Sequence, residues 1–250
     1  MRLSKTASFL VMSGVTSNSI FSFVKERCLS EQNSDGGWIS IVDTVWNLKF
    51  LSLIDKTKFS EHIEKGNRFI FSKLNKDNLW GRHSRDISRI PVTGLIFFLF
   101  PELANLERLC TLEKLWYKEY LSITYKAGFI LCAFAKTNYQ PTVPNMIEET
   151  VGWLIDQQRE DGGFAPWKNH VVDSDVYCTS IAMLGLIHYF KIVPLKVYKK
   201  AYDWLISNQL PSGLWKYHQI EDGSSWGLYT LTKLREILFS EQSPTNISPT

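Results

Sequence analysis

The sequence predicts an all-helical α/α toroid of about five to six helical hairpins. Three observations carry that prediction. A unit of helix, short turn and second helix recurs along the chain, most of its turns pair glycine with an aromatic residue, and no stretch shows the strict apolar–polar alternation of a half-buried strand.

The first unit, IFSFVKERCLSEQNSDGGWISIVDTVWNLKFLSLI, turns at Gly36-Gly37-Trp38. The second, FIFSKLNKDNLWGRHSRDISRIPVTGLIFFLF, turns at Trp80-Gly81. The third, LEKLWYKEYLSITYKAGFILCAFA, keeps Trp116 without a glycine. The fourth and fifth turn at Gly162-Gly163-Phe164 and Gly213-Leu214-Trp215. These aromatics lie roughly 36 to 51 positions apart, as expected of two-helix repeats. Val151, Leu154 and Ile155 stand at helical spacing before Gln157-Gln158, and Asp161-Gly162-Gly163 offers the positive φ of a tight helix exit. Pro144, Pro194 and Pro211 fall in connections, where proline costs little. The second helices, near 43–54, 93–100, 124–135, 178–190 and 226–238, are apolar around most of their circumference, whereas the first helices carry more charge. Apolar helices inside and amphipathic helices outside explain both facts.

The chain of 250 residues reads as one toroid domain, with 1–16 as an N-terminal segment and 240–250 as a frayed tail. In MRLSKTASFLVMSG, Arg2 and Lys5 precede an apolar stretch that is short and diluted by Ser8 and Ser13, a weak signal-peptide pattern. A formal net charge of +3 with no basic stripe argues against nucleic acid. Lys196, Lys199 and Lys200 read as a solvated helix face, with peripheral membrane contact as the alternative. Cys28, Cys110, Cys132 and Cys178 show no metal-ligand spacing, which favours a reducing, cytoplasmic setting. Aromatics at 14% suit either a bulky core or the lining of an apolar cavity.

QNSDGGW (32–38) and QQREDGGF (157–164) resemble the QW-type repeat of squalene and oxidosqualene cyclases. The same turn occurs in protein prenyltransferase β subunits and class II diterpene cyclases. The resemblance spans roughly residues 17 to 238. It implies a toroid in which Gln hydrogen-bonds exposed carbonyls and Trp38, Phe164 and Trp215 are structural.

For chemistry, the resemblance implies an acid at the mouth of an inner helix, in a DxDDT or DCT stretch. Here Asp175-Val176-Tyr177-Cys178-Thr179 stands in its place, with Tyr177 where the family holds its proton-donating Asp. A phenol of pKa about 10 is a poor acid toward an alkene. Asp175 with Asp173, or Asp43 at the matching mouth in the first unit, could supply the proton; helix capping is the plainer role for Asp175 and Asp43. Zinc of the prenyltransferase kind is not expected, because Tyr177 occupies the Cys slot, Cys178 is one residue late and His218 lies in a loop. No DDxxD cluster is present, so magnesium is expected only if the substrate carries a diphosphate, which the Arg82, Arg85 and Arg89 loop could meet. Protonation itself needs no cofactor.

The resulting expectation is a terpene-cyclase-like enzyme (isomerase or lyase) for a linear isoprenoid or isoprenoid-tailed small molecule. Trp46, Phe97, Tyr125, Phe129, Cys178, Trp226 and Tyr229, with Arg89, are its expected substrate-binding residues. A partner subunit, in a homo- or hetero-oligomer, could complete the cavity. The alternative is a non-catalytic carrier of an apolar ligand or peptide.

Overall fold

The structure, a computed structural model, describes residues 2–16 and 18–239. The tail expected at 240–250 lies outside the described residues. Eleven α-helices are present among them: α1 (Arg2–Met12), α2 (Asn18–Ser30), α3 (Ile41–Asp55), α4 (Ser60–Ser72), α5 (Ile90–Leu99), α6 (Leu106–Lys118), α7 (Thr124–Lys136), α8 (Met146–Asp156), α9 (Val176–Ile187), α10 (Leu195–Ser207) and α11 (Ile220–Phe239). No strand occurs among the described residues, only an isolated bridge between Gln209 and Trp215. Helices α3, α5, α7, α9 and α11 form the inner ring, with α2, α4, α6, α8 and α10 packed outside it. The N-terminal stretch with the weak signal-peptide pattern is a sixth inner helix: α1 packs against both α3 and α11 and closes the ring.

The turns repeat one hydrogen-bond design. Gln32 Nε2 donates to Gly36 O at 2.8 Å and to His62 O of the next outer helix at 3.0 Å. Gln158 Nε2 does the same to Gly162 O and Val197 O, both at 2.9 Å. Each glutamine thus joins its own turn to the neighbouring repeat. Gly36 and Gly162 take φ of +88° and +92°, and a Cβ on either would lie 2.4 Å from a carbonyl oxygen of that next helix, so only glycine fits. In the second unit Asn78, at φ +56°, takes the glycine's place. The indole N–H groups of Trp38, Trp80 and Trp215 donate to Cys28, Ile70 and Leu205 carbonyls, each ten residues earlier. Their backbone N–H groups donate to hydroxyls on the inner helices: Thr44, Thr93 and Ser224, as Phe164 does to Thr179.

Three expectations change. Trp116 is not a turn residue; it is buried within α6 and donates to Thr150 Oγ1. Asp43 does not cap α3. Ser40 is the N-cap, accepting from Asp43 N, and its hydroxyl donates to Asp43 Oδ2 at 2.6 Å. Helix α11 begins at Ile220, six residues before its expected start, and its Gly223 and Gly227 lie close against Val176, Tyr217 and Trp215.

Small residues set the ring's tightest seam. A Cβ on Gly128 would lie 2.3 Å from Ile181 O, and one on Gly185 would lie 2.8 Å from Gly128 Cα, so α7 and α9 meet backbone to backbone. At the centre the ring is filled. Phe9 of α1 lies 4.8 Å from Trp46, 4.8 Å from Trp226 and 4.7 Å from Tyr229 by ring centroids, and Phe129 lies 6.0 Å from Trp226. Such edge-on and offset pairs add roughly 0.5–1.5 kcal/mol each beyond area burial.

Candidate functional site

A cavity of about 1300 Å³ opens where α5, α7, α9 and α11 begin. Its wall includes Arg89, Tyr125, Asp175, Tyr177, Tyr217 and Asp222, with Asp173 and Cys178 beside them.

Asp175 is the N-cap of α9, its Oδ1 accepting the Cys178 N–H at 2.8 Å. Burial pushes the Cys178 thiol far up, and the negative charge of the Asp175 carboxylate beside it acts in the same direction. The carboxyl is half-buried, whereas Asp173 is exposed, so no desolvated pair is present to share a proton between them. Asp43 is buried and is not on the cavity wall.

The tyrosines form a cluster. Tyr177 lies 5.7 Å from Tyr125 and stacks on Tyr217 at 5.9 Å, with the Trp226 edge below it at 6.3 Å. Burial, followed by the neighbouring Tyr217 and Asp222, drives the Tyr177 phenol well above its ordinary range, and burial does the same to Tyr217. Both phenols stay protonated at neutral pH, so Tyr177 is a wall residue and a hydrogen-bond donor, and a poor proton source.

Arg89 is on the wall but committed. It holds Asp86 through Nε at 2.7 Å, and this bond keeps the Asp86 carboxyl well below the usual carboxylate range. Lys126, also on the wall, pairs with Glu119.

The structure places the remaining expected substrate contacts away from the cavity. Trp46, Phe97, Phe129, Trp226 and Tyr229 are buried and do not line the cavity. Trp46, Phe129, Trp226 and Tyr229 pack into the aromatic centre, and Phe97 packs edge-on to Trp80 at 5.9 Å. The physical reason for the aromatic centre is α1: Phe9 occupies the space between Trp46, Trp226 and Tyr229.

Tyr217 and Asp222 were missed by sequence reasoning. Asp222 reaches the wall because Lys5, buried in α1, holds it in an ion pair, while Lys5 Nζ lies 5.8 Å over the Trp226 ring. An IEDG stretch read as loop gave no sign of this. Among the described residues no group of three or more His, Cys, Asp and Glu side chains is arranged to hold a metal ion, and no helix is long and apolar enough to cross a membrane.

This architecture is a terpene-cyclase-like α/α toroid. The chain superposes on the type II terpene cyclase MstE from Scytonema with a TM-score of 0.70 at 14% identity, covering 93% of this chain and 85% of that one. A variant of MstE in complex with its substrate geranylgeranyl dihydroxybenzoate gives a TM-score of 0.69 at 13% identity, with the same coverage. The ent-copalyl diphosphate synthase from Streptomyces platensis gives 0.63 at 12% identity, and the match covers 94% of this chain but 49% of that longer one. No family model and no curated protein sequence matches the chain.

Proposed function

We propose that the chain is a terpene-cyclase-like enzyme that cyclises or isomerises a linear isoprenoid or isoprenoid-tailed small molecule, with Asp175 as the acid. The observation that supports this reading is the half-buried Asp175 carboxyl group at the mouth of α9, on a tyrosine-rich cavity wall. Transfer of its proton to a terminal alkene carbon leaves Asp175 as carboxylate and places positive charge on the adjacent carbon. The π faces of Tyr125, Tyr177 and Tyr217 face such a cation favourably. Ring closure and return of a proton to a carboxylate complete an isomerisation with no net loss of atoms. No cofactor is needed for these steps; magnesium enters the proposal only with a diphosphate substrate.

A second reading, a non-catalytic carrier of an apolar ligand, is favoured by one observation: Tyr177, at the position of the resembled family's acid, carries a phenol pushed further from acidity. One experiment separates the two. Purified protein is incubated with linear prenyl diphosphates, squalene and prenylated aromatics, with and without magnesium, and analysed by mass spectrometry. A product of unchanged mass and shifted retention supports the cyclase. Unchanged substrate across the panel, with one compound retained on the protein, overturns the cyclase in favour of the carrier.

A further inference from the structure

The connection between α9 and α10 lies at the end of the ring remote from the cavity, because α9 starts at the cavity and runs away from it. Here Phe190, Ile192 and Leu195 are 59%, 52% and 60% exposed. The segment is anchored at its middle. Val193 is buried between them and Pro194 caps α10, so the three apolar side chains are held outward by a fixed backbone.

Lysines surround them. Lys191 and Lys196 alternate with the apolar residues, Lys199 and Lys200 follow in α10, and all four are exposed. No acidic residue occurs from His188 to Lys200. Among the described residues, only Lys199 of the four is in an ion pair, with Asp203 at 2.8 Å.

The placement of these lysines works against the local helix. The outer helices α4, α6 and α8 open with Glu61, Glu107, and Glu148 with Glu149, as the positive end of a helix dipole favours. Helix α10 has no acid in its first turn and carries Lys196 there instead. Exposed aromatic and aliphatic side chains set among four lysines, of which Lys199 alone is ion-paired among the described residues, suit a surface that is apolar within and anionic at its boundary.

We propose that this loop docks peripherally on an anionic lipid bilayer, with Phe190, Ile192 and Leu195 inserted at the acyl boundary and the lysines on the head groups. This proposal does not depend on the catalytic reading. It differs from a spanning segment, since no described helix is long and apolar enough to cross a membrane. It leaves the cavity mouth facing away from the lipid.

The test is co-sedimentation of the full chain with phosphatidylcholine vesicles, with and without a fraction of phosphatidylserine. Binding is expected to the anionic vesicles and to weaken as salt is raised. The pair Lys191→Glu and Lys196→Glu is expected to reduce partitioning by about tenfold or more, at roughly one surface charge contribution per lysine. Phe190→Ser with Ile192→Ser is expected to reduce it independently of salt. All four positions are exposed, and unchanged thermal melting verifies that the variants are folded. Failure of the wild-type chain to sediment with anionic vesicles overturns the proposal. So does binding that is equal on neutral vesicles and insensitive to the lysine reversals. Recovery of the wild-type chain in a soluble complex with a protein, with no lipid binding, also overturns it.

Discussion

Cys178 donates its backbone N–H to Asp175 Oδ1 at 2.8 Å, so one side chain both caps α9 and bears the only functional burden proposed for the cavity wall's acid. The two roles separate by substitution. Asparagine caps a helix about as well as aspartate but carries no acidic proton. Asp175→Asn is expected to keep its melting temperature and lose about 100-fold or more in turnover. Asp175→Ala is expected to lose turnover and about 1 kcal/mol of stability as well. Full activity in the asparagine variant would remove Asp175 from the chemistry.

The closing helix is testable through its central ring. Phe9 touches Trp46, Trp226 and Tyr229 and is fully buried. Phe9→Ala is expected to cost about 3–5 kcal/mol, read by denaturant unfolding. A cost below about 1 kcal/mol would mean that α1 is peripheral to the fold.

The seam between α7 and α9 makes a paired glycine prediction. At Gly128 a new methyl group meets Ile181 O, whereas at Gly152 in α8 it meets nothing within 4 Å. Gly128→Ala is expected to destabilise by about 1–3 kcal/mol or more. Gly152→Ala is expected to stabilise by about 0.4–1 kcal/mol. Equal effects of the two, measured by thermal melting, would contradict the backbone contact.

Acid sensitivity is expected at Glu113. This buried carboxylate accepts from Thr142 Oγ1 at 2.7 Å, Val143 N at 2.8 Å and the Tyr139 hydroxyl, and so ties the α7–α8 connection to α6. Burial acts to raise its pKa, but these hydrogen bonds outweigh it and hold the carboxyl below its ordinary value. A folded pKa below the unfolded one gives stability that is present above about pH 4.3 and lost as pH falls through the folded value. Unfolding free energy should therefore fall on acidification, and Glu113→Gln should be less stable at neutral pH with a flatter acid limb. Parallel pH profiles of the two proteins would exclude the assignment.

The repeat, the helix order and the glycine turns are legible in the sequence because their causes are local. A positive φ at Gly36 or Gly162, and a glutamine four residues before a carbonyl it can reach, need only a few neighbouring residues. Asp175 as a cap, and its place at a helix mouth, are legible for the same reason. The aromatic residues are a different case. Trp46, Phe129 and Trp226 carry the composition of a cavity lining, and composition does not distinguish a lining from a plug. The tertiary structure decided between them when α1 closed the ring, since Lys5 reaches Asp222 across 217 positions of sequence and Phe9 fills the centre in the same step. Periodicity and turn chemistry act over a few residues and determine the ring. Which side chains meet inside it depends on contacts between the chain's first helix and its last, and no local rule contains them.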